Sequence, residues 1–258
     1  MLLDLDELIS DWDCPPGELR ARVVTGRDGD ELLQLRVDLG VMQMFPDGRP
    51  DGQRYRGLLT VHEFIEHELR LGGHELSAED WQELERELLQ MNYRRMALAT
   101  VADDALRADD EEHARRYLRR ALADVDACLA NLDLMKNEEA TRAGNVGLLP
   151  TLLFDRARLR SQLEIVEGQF EAAIEQADAG AAELEALLEK LGYEEEQRHD
   201  DPGLRYLCKL GEQLRREYGI VKTLSEQLRE AVEDEDFETA AELRDELQQR
   251  RRQPPPAP

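Results

Sequence analysis

The chain has 258 residues, 58 acidic and 33 basic, for a formal net charge of −25. A field of that sign repels phosphate backbones and argues against direct binding of DNA or RNA; the basic run Arg250-Arg251-Arg252 is too short to reverse it. Ala, Glu, Lys, Leu and Arg supply 135 of the residues, just over half, which is the composition of long amphipathic helices.

No apolar run approaches the roughly 20 residues of a membrane span. The start, Met1-Leu2-Leu3-Asp4-Leu5-Asp6, is acidic where a secretory leader is basic. A cytoplasmic location is expected. Cys14, Cys128 and Cys208 are far apart and form no Cys-x-x-Cys pair, so they read as reduced thiols and not as a zinc site.

Residues 1–57 form a small N-terminal block. A short amphipathic start (Leu2, Leu5, Leu8, Ile9) runs into Pro15-Pro16, which ends any helix there. Leu19 to Val24 reads as a strand, and Gly26-Arg27-Asp28-Gly29-Asp30 as a hairpin turn. Leu33, Leu35, Val37 and Leu39 alternate with Gln34, Arg36 and Asp38, the period of a half-buried strand. A third strand, Val41 to Phe45, precedes the turns of Asp47-Gly48 and Asp51-Gly52. Residues 18–57 are therefore expected to make a small antiparallel sheet.

Residues 58–191 read as a helical bundle. Leu58 to Leu71 stops at Gly72-Gly73. Ser77 and Asp80 resemble a capping box opening a helix with Trp81, Leu84, Leu88, Met91, Leu98, Ala102 and Ala105 on one face. After a polar turn at 107–110, Ala114, Leu118, Ala121, Val125, Cys128, Leu132 and Met135 alternate steps of four and three, a 3.5-residue seam. Residues 138–147 read as a loop, with Pro150 in the first turn of the next helix. The following face is Leu159, Leu163, Val166, Phe170, Ala173, Ala177, Leu184, Leu187 and Leu191, broken by a turn at Glu167-Gly168-Gln169. Gly168, Phe170, Ala173 and Ala177 have the spacing of the second helix of a tetratricopeptide (TPR) hairpin. The echo at Ala114, Leu118 and Ala121 lies 59 residues away, where a true array repeats every 34 or so. These helices are TPR-like hairpins or a generic bundle, and not an array. Residues 192–219 read as a charged linker, Gly192 to Gly203, and a connecting helix with Leu204, Leu207, Cys208, Gly211, Leu214 and Tyr218 on its face; residues 251–258 read as a disordered tail. The expected fold is mainly α: an antiparallel TPR-like bundle, a small N-terminal antiparallel sheet and a C-terminal helical hairpin over 220–250.

That hairpin carries the most specific pattern. Leu224, Leu228, Ala231 and Val232 form the apolar face of one short helix. An acidic turn follows, with Asp236 placed to cap the next helix. Phe237, Ala240, Ala241, Arg244 and Leu247 share a side of that helix, with Leu243 beside them. The alanines permit close helix approach, and Phe237 is placed to plug the hairpin end. Two short helices bury little by themselves, so such a unit needs a partner surface within or outside the chain.

Leu228, Ala231, Val232, Asp236, Phe237, Ala240, Ala241, Leu243, Arg244 and Asp245 resemble the UVR motif, the segment through which the excision-repair proteins UvrB and UvrC contact each other. The motif also occurs in the arginine-kinase activator of the Clp stress system and in some Clp ATPases. The resemblance implies a protein partner carrying a UVR-like or coiled-coil hairpin, a second copy of this chain included. In it Phe237, Leu243 and Leu228 would pack and Arg244 would clamp a partner acid. A second resemblance lies in Val37 to Met44 and Asp47 to Gly52, which look like a block of uncharacterised bacterial UVR-motif proteins; it brings an architecture and no activity. No Gly-x-x-x-x-Gly-Lys-[Ser/Thr] loop is present, so the helicase role of UvrB is not implied. The cysteine pairs of the kinase activator are missing too.

Other patterns carry less. His62 and His67 are five residues apart, about 140° around a helix, whereas the zinc helix needs His-Glu-x-x-His on one face. His62 and Glu66 do share a face. Asp110-x-x-His113 and Glu196-x-x-His199 lack the inward carboxylates of a di-iron site. No catalytic group, cofactor or metal is expected. The reading is a non-catalytic protein-interaction adaptor; the alternatives are a regulatory subunit of an excision-repair or Clp-type proteolysis machine and, in another class, a metal-dependent enzyme built on His62, Glu66 and His67.

Overall fold

The computed structural model describes residues 9–37, 40–72, 76–137 and 147–252, with the side chains of 250–252 outside the description. The chain is mainly helical, with nine α-helices among the described residues and a three-stranded antiparallel sheet near the N-terminus. It divides into two compact units, residues 1–152 and 153–258, and the helices of 58–191 are shared between them. The amphipathic start at Leu2 to Leu8, Leu39 of the second strand and the loop expected at 138–147 (but for Gly147) lie outside the described residues.

In the first unit, β1 (Arg20–Thr25), β2 (Glu31–Val37) and β3 (Gly40–Met44) pair in sequence order. Ala21 faces Leu35 and Val23 faces Leu33, so the alternating apolar residues fall on one side. Leu33, Leu35 and Met44 are buried there, where the sheet packs on the long helix α2. Arg22 stacks on Trp12, 4.0 Å from the ring centroid. The helix α1 (Val61–Leu71) is capped by Thr60 and ends at Gly72, whose φ of +62° needs no Cβ to accommodate. It starts later than Leu58 because Leu58 and Tyr55 form an isolated bridge ahead of it.

The helices α2 (Ala78–Arg107) and α3 (Glu111–Leu134) make the largest contact of the unit. Ser77 and Asp80 form the reciprocal capping box. The two seams read from the sequence meet here: Leu84, Leu88, Leu98 and Ala102 are fully buried, as are Ala114, Leu118, Ala121, Val125 and Cys128. Burial pushes the Cys128 thiol up to about 12, so it is an inert packing group.

Polar groups also enter this interior. Arg94 of α2 makes a bidentate pair with Asp124 of α3, at 2.8 and 2.6 Å, and donates to the carbonyls of Phe45 and Gly48. Both side chains are about 95% buried. Glu87 accepts from the backbone N–H of Val61 (2.8 Å) and of His62 (3.3 Å). That seats the start of α1 on α2. Arg116 and Arg120 of α3 both reach Glu31 of β2.

The second unit contains the C-terminal part of α4 (Leu148–Val166), then α5 (Phe170–Lys190), α6 (Glu195–His199) and α7 (Pro202–Tyr218). The turn at Glu167-Gly168-Gln169 is present, with Gly168 at φ +71°. Arg156 pairs with Glu183, and the Ser161 hydroxyl donates to the Ala173 carbonyl, so α4 and α5 run antiparallel. Gly180 lets them close: a Cβ there would stand 2.1 Å from the Ala157 Cβ. Ala157, Ala181, Leu184, Leu188, Leu204 and Leu207 form one core cluster; Ala173, Ile174 and Leu214 form another. Leu188 is buried where the sequence pattern pointed to Leu187 and Leu191, and Leu191 is exposed.

The stretch read as a charged linker is more ordered than that. Glu194 and Gln197 cap the short α6. Asp201 and Pro202 then open α7, Asp201 accepting from the Leu204 N–H and Pro202 sitting in the first turn. Charge content suggested a linker, but the same acids serve as helix caps. The helix α7 packs along α5 over much of its length, and Gly219 ends it at φ +67°.

Candidate docking hairpin

The hairpin follows Gly219 directly. Thr223 caps α8 (Leu224–Glu233), accepting from the Glu226 N–H while the Glu226 carboxylate takes the Thr223 N–H at 2.7 Å. The turn after α8 is closed by two backbone bonds, Glu235 N–H to Val232 O at 3.2 Å and Asp236 N–H to Ala231 O at 2.8 Å. Glu235 sits there at φ +59°, in the left-handed region, which ends a helix but disfavours a side chain with a Cβ. Asp236 caps α9 (Phe237–Arg252), accepting from the Thr239 N–H at 3.2 Å and its hydroxyl at 2.7 Å. Those two bonds hold the Asp236 carboxyl below its ordinary value.

Ala231 (9% exposed) and Ala240 (7%) are the residues buried where α8 meets α9. Their small side chains let the helices close on each other near the turn. Phe237 therefore does not plug the hairpin end as the sequence suggested. It is the first residue of α9 and stays 69% exposed; Val232, on the other side of the turn, is 50% exposed. Leu228, Ala241, Leu243 and Leu247 are half-buried, Leu224 is buried, and Arg244 is exposed and paired with Asp245 on its own helix at 3.1 Å. The ten residues expected to dock a partner thus divide three ways: Leu224, Ala231 and Ala240 are buried, Leu228, Ala241, Leu243 and Leu247 are half-buried, and Val232, Phe237 and Arg244 are presented to solvent.

Sequence reasoning missed what ties the hairpin to its unit. Arg215, near the end of α7, reaches Asp178 of α5 at 2.7 Å and Glu226 of α8 at 2.8 Å. The Leu224 N–H donates to the Glu171 carboxylate at 3.2 Å, and Lys222 pairs with Glu230. Burial pushes the Glu226 carboxyl up, but the Thr223 hydrogen bonds and the Arg215 charge outweigh it and leave it below its ordinary value. A cleft of about 330 Å³ opens between α5 and α8, with Asp178, Glu226 and Arg229 on its walls. Arg215 has no periodic signal; only the tertiary approach of three helices selects it.

The other patterns resolve locally. His62 Nε2 lies 3.6 Å from Glu66, while His67 pairs with Glu68. Asp110 caps α3 and pairs with His113 at 2.8 Å. Among the described residues, no group of three or more His, Cys, Asp or Glu is placed to hold a metal ion, and no helix is long and apolar enough to cross a membrane.

The geometry is that of a short helical hairpin with buried alanines between its helices and exposed apolar residues at its tip. Residues 219–253 match the family model described as the UvrB/uvrC motif, so the C-terminal hairpin is a UVR motif. No curated protein and no solved structure matches the chain.

Proposed function

We propose that the protein is a non-catalytic adaptor that docks another protein through its UVR hairpin. The observation that carries this reading is the exposure of Phe237 and Val232 at the tip of a hairpin whose interior is already closed by Ala231 and Ala240. Exposed aromatic and aliphatic residues at a helix-pair end suit helix-against-helix recognition, where their burial supplies the affinity. UVR motifs mediate protein–protein contact, and the match over 219–253 supports the same role here. A partner with a UVR-like or coiled-coil hairpin fits it. The remainder of the chain, from the N-terminal block (1–57) through the TPR-like helices (58–191) to the connecting segment (192–219), acts as the body that carries the hairpin (220–250), and its middle helices hold a second partner. The expected location is the cytoplasm, and no cofactor is involved.

The test is affinity purification from native lysate, the full chain against a chain ending at Gly219. Partners lost with the hairpin would establish it as the docking module. Their identity would also decide the narrower reading, a regulatory subunit of an excision-repair machine or of a Clp-type protease. Identical partner sets would reject the adaptor reading.

A further inference from the structure

We infer that the hairpin tip is built for a basic partner: a protein surface with an apolar pocket for Phe237, rimmed by lysine or arginine. This deepens the adaptor reading and rests on it. Between Glu230 and Glu246 the chain has nine acidic residues and one arginine. Glu230 is paired with Lys222, and Asp236 is spent on capping α9. Glu233, Asp234, Glu235, Glu238 and Glu242 are exposed and make no ion pair with the described residues. Four of them, Glu233, Asp234, Glu235 and Glu238, flank the turn beside the two exposed apolar side chains, and none is paired among the described residues.

Folding does not account for these acids. Glu233 and Asp234 lie at the C-terminal end of α8, where the helix dipole disfavours negative charge. Glu235 adds a third acid at a left-handed position that glycine or asparagine fills more easily. Each is a local cost, and the adjacent acids repel one another. What such an arrangement supplies is selection of the partner: it attracts a basic rim and penalises an acidic one. A second copy of the hairpin would bring its own acidic tip and a chain of charge −25, which disfavours tip-to-tip self-pairing.

The experiment uses the full chain and a defined probe, a fluorescein-labelled amphipathic helix made only of lysine and leucine, with a glutamate–leucine helix as its control. Binding is followed by fluorescence anisotropy. The comparison is between wild type, Phe237→Ala, and a variant with Glu233→Gln, Asp234→Asn, Glu235→Gln and Glu238→Gln. Phe237→Ala leaves the charge untouched, so it separates pocket recognition from general attraction to an acidic protein. The expected result is binding of the basic helix only, weakened about tenfold or more by Phe237→Ala and to a similar degree by the four amides. Sedimentation of the same proteins reads self-association. Basic-helix binding unaffected by Phe237→Ala, or by the amides, overturns the proposal. A wild-type dimer dissolved by Phe237→Ala, without peptide binding, also overturns it while leaving the docking role intact; the loss of that role is read separately from the Gly219 truncation.

Discussion

Arg94 and Asp124 show how much a single pair decides in the first unit. Their bidentate contact is almost fully buried, and Arg94 also holds the loop carbonyls of Phe45 and Gly48. Removing one partner strands the other charge away from water, which costs far more than the pair contributes. Asp124→Ala is expected to destabilise this unit by about 3–5 kcal/mol, read as a fall in the urea midpoint by circular dichroism. Glu83 carries a pH signal of known sign. The hydrogen bond from Arg49, with its charge, holds the Glu83 carboxyl below its ordinary value of 4.5. Its contribution to stability is full above that value and is lost as pH falls through the depressed one, because the unfolded chain then binds the proton first. Glu83→Gln should therefore flatten the acid limb of the stability curve below about pH 4.5, in urea unfolding repeated across pH. An unchanged acid limb would mean that other carboxylates, such as Asp80, dominate it.

At the scale of elements, small residues and caps set the geometry. Gly180 is where α4 and α5 touch, and a methyl group there would collide with Ala157. Alanine is the better helix former by about 1 kcal/mol, yet Gly180→Ala should destabilise the second unit, since overpacking costs about 1–3 kcal/mol. A stabilised variant would show that α4 can shift away without loss. Thr223→Ala removes the cap that opens the hairpin and should cost roughly 0.5–2 kcal/mol. The loss should appear as faster hydrogen exchange in α8 with α5 unchanged. The same scale shows what could be read from residues alone. The seams of α2 and α3 were legible because apolar spacing directly encodes a helix face, and the capping box at Ser77 is local chemistry; the one at Thr223 went unread. The helix α6 was not legible: Glu194 to Asp200 is rich in charge, and charge looks the same in a linker and in a capped turn of helix. The hairpin's position and its apolar residues were also legible. Which of them face solvent was not, because Phe237 and Ala240 share a sequence face, and only the closure of the alanine seam leaves the ring outside.

For the whole molecule, charge is the governing quantity. At −25, the protein is expected to leave a short DNA duplex unshifted even at about 50 mM NaCl, where phosphate contacts are strongest; a gel-shift titration checks it. The same charge repels itself within the folded chain, so raising NaCl from about 50 to about 300 mM should raise the melting temperature by screening.

Both tryptophans, Trp12 and Trp81, fall in the first of the two compact units. Indole emission consequently sees that unit and is blind to the hairpin-bearing one, whose aromatic residues are phenylalanine and tyrosine. The molecule thus carries a built-in optical bookmark on its N-terminal half. Coincident emission and ellipticity curves would mark one cooperative transition; an emission curve that runs ahead or behind would time the melting of each half without a single label being added.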